Sequence, residues 1–246
     1  MATNKRSTGF AIAVVAVYVF ARHLIYHVMP AASFDAWFFR DLVMSAPRLT
    51  ALLACLIYSR RSGGWTEWGW TFSLTRTGAI ALALVTGMEL LLHFAHGSGS
   101  DLPPWVILFG WLATGPVALF EEAAFRSLMF LSMRRQLSPR LAALLCSTLF
   151  MVYHVEAQPV EHWPHIFVFG LGTCAAIQCG AGLGWLIAAH WLVDGAWFHL
   201  TTGPGSSWAW DGYTVFLIIT SAASLALLRE SPATRPPNDA ASEFQG

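Results

Sequence analysis

The sequence predicts an all-α, polytopic membrane protein: a bundle of about eight transmembrane helices enclosing a polar intramembrane cavity. Three observations carry that expectation. Of the 246 residues, 56% are hydrophobic and only 11% charged, with a mean hydropathy of +0.54, far from the balance of a soluble domain. Apolar runs recur along the chain at lengths approaching the roughly 20 residues that a helix needs to cross a bilayer core. Ionisable residues nevertheless stand inside several of those runs, where lipid tolerates them only beside a partner or a cavity. The net charge is zero and the pI about 7.1, so no basic footprint points to nucleic acid. The expected partners are the lipid bilayer and membrane-borne molecules.

The first predicted span, Gly9 to Met29, follows Lys5 and Arg6. Its apolar run is long for a secretory signal and lacks a convincing small-residue cleavage site, so it reads as a retained helix. Further spans are expected near Leu42 to Tyr58, Gly78 to Ala95, Pro104 to Met133, Leu141 to Val155, His165 to Cys179, Leu183 to Leu200 and Tyr213 to Leu228, the fifth and sixth being short. Arg60, Arg61 and Arg76 fall after the second span, Arg134, Arg135 and Arg140 after the fourth, and Arg229 and Arg235 after the last. The alternate connections, 96–103, 156–164 and 201–212, hold no Lys or Arg. The positive-inside rule then puts both termini in the cytoplasm and requires an even number of crossings, with the cytoplasmic membrane of a prokaryote as the expected location.

Trp65, Trp68 and Trp70 on the basic side, and Trp163, Trp208 and Trp210 on the other, are expected as interfacial anchors. Cys55, Cys146, Cys174 and Cys179 lie in apolar stretches without CxxC spacing and read as core fillers. No internal repeat and no glycine-rich phosphate loop is found. Residues 1–230 are expected to form one transmembrane domain, and 231–246, rich in Pro, Ala, Asp and Asn, a disordered cytoplasmic tail.

The residues that do not belong in lipid carry the chemistry. The fourth span contains Glu121-Glu122-Ala-Ala-Phe-Arg126. Glu122 and Arg126 are four apart and can pair on one helix face. Glu121 points about 100° away and needs a partner from another helix, or water. The fifth span ends Phe150-Met-Val-Tyr-His154, and the seventh contains His190-Trp-Leu-Val-Asp194. Counting at about 1.5 Å per residue, Glu121, His154 and His190 fall at similar depth, roughly 10 to 20 Å from the cytoplasmic ends, so they could converge. A lone buried histidine or a single i to i+4 ion pair is usually a packing device. Six such residues on three helices supply a base, imidazoles and an orienting carboxyl, the means of activating water and stabilising an oxyanion.

In order and rough spacing these motifs resemble those of the CPBP intramembrane proteases, which include type II CAAX prenyl endopeptidases and bacteriocin-processing or immunity-associated proteins. That family's pattern is EExxxR, then FxxxH, then HxxxN or HxxxD. The resemblance spans Glu121 to Asp194 and implies a protease core at about 104–200. It implies an intramembrane endopeptidase in which Glu121 and His154 activate water, His190 and Asp194 hold the oxyanion, and Glu122 and Arg126 brace the site. Phe150 becomes a candidate substrate contact. Many members carry Asn at the last position, and an Asp donates a hydrogen bond only when protonated; Asp194 is therefore expected to orient His190 instead. Glu121, His154 and His190 could ligate zinc. HExxH is absent, however, and metal-free hydrolysis without a cofactor is the favoured expectation.

Smaller clusters are read as structural. Glu89 and His93, with His96 beyond, suggest a polar contact between helices, and His23 and His27 a wet interfacial pair. Glu156, His162 and His165 would shape an entrance. The expected substrate is a membrane-anchored protein or peptide, since the bond must reach mid-membrane depth; C-terminal sorting or lipidated tails of exported proteins qualify. The alternatives are a non-catalytic scaffold or bacteriocin-immunity factor that binds a peptide in the same cavity, and an ion-coupled transporter, for which no inverted repeat is visible.

Overall fold

Each segment in which an apolar run predicts a span is helical. A computed structural model describes the backbone of residues 2–30, 34–96, 103–158, 160–199 and 210–228. Among these lie α1 (Ala2–Val28), α2 (Phe34–Ser62), α3 (Arg76–His96), α4 (Pro104–Met133), α5 (Pro139–His154), α6 (Trp163–Gln178), α7 (Leu183–His199) and α8 (Trp210–Leu227). Arg6–Val28, Phe39–Ser62 and Pro104–Met133 are long and apolar enough to cross a membrane, and Thr214–Leu227 is a shorter apolar helix. The outward faces are apolar too: Val17, Phe20 and Leu24 of α1 and Leu49 and Leu53 of α2 are exposed, as lipid-facing side chains must be. The chain is an integral membrane protein.

Prolines and small polar residues punctuate the chain. Pro104 and Pro139 stand in the first turns of α4 and α5, where a missing N–H costs nothing, and the Ser138 hydroxyl caps α5 by accepting from the Leu141 amide. α6 stops at Gly180, whose φ of +94° suits only a residue without a side chain. α4 and α6 are central: α4 packs on α7, and α6 on α3, α5 and α8.

Polar contacts tie the helices together at both ends of the bundle. At one end, the Ser7 hydroxyl meets that of Tyr58, Arg135 pairs with Glu67 at 2.6 Å, Arg134 donates to Gln178, and Arg140 donates to the Leu225 carbonyl. At the other end, Arg22 and His23 meet Glu156. The grouping of Arg134, Arg135 and Arg140 follows the loop assignment. Arg229 and Arg235, the 231–246 tail, and the side chains of His93, His96, Trp208 and Trp210 lie outside the described residues.

Two expectations need correction. Trp68 is not an interfacial anchor: it is 1% exposed, and its indole N–H donates to Ser62. The 63–75 loop folds inward. Its carbonyls at Gly69, Thr71 and Ser73 accept from the amides of Leu183, Gly184 and Gly182, and the Trp68 carbonyl accepts from Ser127 of α4 at 2.6 Å. An indole closing the core gains more than one at the surface because its area leaves water altogether.

The second correction concerns α4, which is not a uniform α-helix. From Glu122 to Phe130 it is π-helical, and each of these nine residues is buried. The wider winding starts at the second glutamate and surrounds the segment with α1, α2, α5, α6 and α7. Such departures concentrate at functional sites.

Candidate active site

Six side chains from three helices meet inside the bundle, as their spacing predicts. Glu121 ends the regular part of α4, five residues after Pro116. Its two carboxylate oxygens face two imidazoles: Oε1 lies 3.7 Å from Nε2 of His154 on α5, and Oε2 lies 3.7 Å from Nε2 of His190 on α7. These separations exceed a direct hydrogen bond and are ones that a single water can bridge.

Glu122 turns the other way. Its Oε1 accepts a 2.8 Å hydrogen bond from Nδ1 of His190, and its Oε2 lies 3.5 Å from Nε of Arg126. Arg126 is completely buried: its Nε donates to the Thr173 hydroxyl at 2.8 Å, and its guanidinium stacks 4.0 Å from the Phe150 ring centroid. A buried cation needs such partners, and here they come from α4, α5 and α6 together.

Asp194 does not orient His190 in the manner expected. Its Oδ1 is 3.6 Å from Nε2 of His190, the nitrogen that faces Glu121 and the cavity, whereas the ring is held through Nδ1 by Glu122. The reason is register: on α7 the i to i+4 carboxylate reaches one edge of the ring, and a facing helix reaches the other. Held at Nδ1, His190 presents Nε2 to the cavity.

His154 is held differently, with Nδ1 2.8 Å from the Phe150 carbonyl one turn back, which also leaves Nε2 toward Glu121. Phe150 lines the cavity, but its ring is engaged by Arg126, by Phe125 at 5.1 Å and by His154 at 4.5 Å. It serves as a platform under the histidine. As to metal, the two Nε2 atoms and the Glu121 carboxylate face one another, yet no group of three or more His, Cys, Asp or Glu among the described residues is arranged to hold an ion.

Glu121, Phe150, His154, His190 and Asp194 line a cavity of about 390 Å³. It reaches Gln158, His162 and His165, hence the end of the bundle opposite Arg134 and Arg135. His162 and His165 therefore do stand at an entrance. Glu156 instead pairs with Arg22 and His23, and the exposed His23 ring stacks on His27. Glu89 is buried in the cavity wall; the side chain of His93 lies outside the described residues.

The sequence reading overlooked Tyr153, Arg22 and Arg48. Tyr153 lines the cavity beside Glu121, and Arg22 and Arg48 enter the cavity wall from α1 and α2. The two arginines carried a visible signal, a charge within an apolar run, the same argument that singled out Glu121. Tyr153 and Thr173 carried none.

Fold and site together define a helical integral membrane protein with a carboxylate and imidazole cluster inside its bundle. Residues 102–196, a stretch that holds all six clustered side chains, match the family described as type II CAAX prenyl endopeptidase Rce1-like, in accord with the resemblance read from the motifs. The match covers about two fifths of the chain and implies a protease. No curated protein and no solved structure matches.

Proposed function

We propose that the protein is an intramembrane endopeptidase of the glutamic type, hydrolysing a peptide bond in a membrane-anchored protein or peptide. The observation that carries this reading is Glu121, a buried carboxylate poised between the Nε2 atoms of His154 and His190 on the wall of an accessible cavity. A water bridging Glu121 and His154 would pass its proton to Glu121 while attacking the scissile carbonyl. His190, with protons on both ring nitrogens, donates to Glu122 from Nδ1 and to the developing oxyanion from Nε2. Glu122 orients that ring through Nδ1, and Arg126 keeps Glu122 in place. None of these steps calls on a metal.

The cavity mouth supports a substrate arriving at the end opposite the arginine-rich loops. With those loops in the cytoplasm, that end faces outward, which favours the tails of exported, membrane-tethered proteins. The test is mass spectrometry of membrane proteins from cells carrying the wild type or Glu121→Gln, with insertion and melting temperature checked in parallel. Loss of the cleaved products with the fold intact is expected. Undiminished cleavage by Glu121→Gln, or a cellular phenotype that survives it, would replace the enzyme by a peptide-binding scaffold.

A further inference from the structure

Outside the cavity, hydrolysis leaves two histidines of α1 unused. His23 and His27 are one turn apart near the end of that helix, and both are exposed, His23 with 66% of its side chain open. Residues four apart share a helix face, and here the two rings lie 15° from parallel with centroids 6.3 Å apart. Glu156, just beyond the end of α5, fixes the first ring: its Oε1 accepts from Nδ1 of His23, and its Oε2 lies 3.5 Å from Nε of Arg22. A carboxylate paired with a guanidinium accepts and does not donate. The proton of neutral His23 therefore sits on Nδ1, and the lone pair of Nε2 points away from Glu156.

A carboxylate orients a metal-binding imidazole in this way: the bond at Nδ1 fixes the tautomer, turns the ring and raises the basicity of Nε2. Imidazole nitrogens suit zinc, copper and nickel, whereas magnesium and calcium take oxygen. At a Zn–N distance of about 2.0–2.1 Å and a tetrahedral angle, two donor nitrogens stand roughly 3.4 Å apart. Cβ atoms four residues apart on a helix are about 5–6 Å from each other, so rotation of the exposed His27 side chain brings its ring within that span. No third His, Cys, Asp or Glu among the described residues completes the sphere, which leaves the remaining positions to water. We infer that His23 and His27 bind a divalent transition metal of the zinc class on the outer surface of α1, with Glu156 as the carboxylate that orients His23. The ion would sit apart from Glu121, His154 and His190, and would fasten the end of α1 to the end of α5 through the bond between His23 and Glu156.

The test uses full-length protein without a polyhistidine tag, in phosphatidylcholine nanodiscs at neutral pH, with zinc as the ion and magnesium as the control. Carbethoxylation of each histidine by diethyl pyrocarbonate is read by mass spectrometry on the wild type, which needs no folded variant. Saturating zinc should slow modification of His23 and His27 about tenfold, and magnesium should slow neither. In equilibrium dialysis, His23→Gln and His27→Gln should each lose an ion that the wild type binds. Glu156→Gln, with melting temperature checked in parallel, should keep that ion but hold it about 10- to 100-fold more weakly, the usual loss when an orienting carboxylate is removed. Zinc that protects neither histidine, or only His154 and His190, overturns the site, as does binding that survives both histidine variants. Binding lost in those variants but untouched by Glu156→Gln also overturns it, leaving an adventitious ion only. None of these readouts involves cleavage, so they are separate from the peptidase reading.

Discussion

His190 joins the two adjacent glutamates: its Nδ1 lies 2.8 Å from Glu122 Oε1, and its Nε2 lies 3.7 Å from Glu121 Oε2. One imidazole therefore reads both carboxylates, and their unequal distances separate their roles. The short contact fixes the ring, and the longer one leaves Nε2 without a direct hydrogen bond to Glu121.

Glu122→Gln tests the first role. A neutral amide oxygen still accepts from Nδ1 but brings no charge to keep a second proton on the ring, so Nε2 loses the proton it would donate and kcat should fall roughly 10²- to 10⁴-fold with little change in KM. It also removes the counter-charge of buried Arg126, a loss of about 3–5 kcal/mol. Glu122→Gln combined with Arg126→Met should recover melting temperature without recovering activity. Recovery of both would make Glu122 purely structural.

Thr173→Val isolates the brace. It deletes the hydroxyl that accepts from Arg126 Nε at 2.8 Å while keeping the side-chain volume. Hydrogen bonds to charged groups contribute about 1.5–3 kcal/mol, so unfolding in detergent should shift by that amount, with Thr173→Ser close to wild type. An unchanged melting curve would show that Glu122 and the ring contacts hold Arg126 without the Thr173 hydroxyl.

Gly182→Ala tests the inward-folded 63–75 loop. A Cβ at that position would collide with the Thr71 carbonyl, so the loop must shift, at a cost of about 1–3 kcal/mol. Limited proteolysis should open a new cut between 63 and 75, and Trp68 fluorescence should move to longer wavelength. A loop that stays protected argues that the Ser127 and Leu183 bonds suffice.

Chelation addresses the metal question. Metal-free hydrolysis expects activity to survive exhaustive dialysis against phenanthroline. Activity lost on dialysis and restored by zinc would make Glu121, His154 and His190 ligands.

Sidedness is checked by labelling intact cells with a membrane-impermeant maleimide. Ala157 lines the cavity and Gln136 is exposed at the arginine-rich end. Ala157→Cys should react and Gln136→Cys should not; the opposite result would place the cavity mouth in the cytoplasm.

Much of the site was legible because a charge inside an apolar run has few explanations. That reasoning found Glu121, Glu122 and Arg126, and three motifs in order on separate helices added His154, His190 and Asp194. It missed Arg22 and Arg48, to which the same reasoning applied, and Tyr153 and Thr173, whose hydroxyls are unremarkable in a helix. Trp68 was misplaced because a tryptophan between spans carries no mark of whether its loop lies on the lipid surface or folds into the bundle.

Composition and periodicity alone determined that the chain is helical and membrane-embedded, since twenty-residue apolar stretches have no other stable state in which every backbone polar group is paired. Spacing alone determined which pairs share a helix face. Which nitrogen of His190 meets which carboxylate, the widening of α4 at Glu122 and the end at which the cavity opens were decided only by packing. Each depends on helices far apart in the chain, and one-dimensional spacing holds no information about the distance between them.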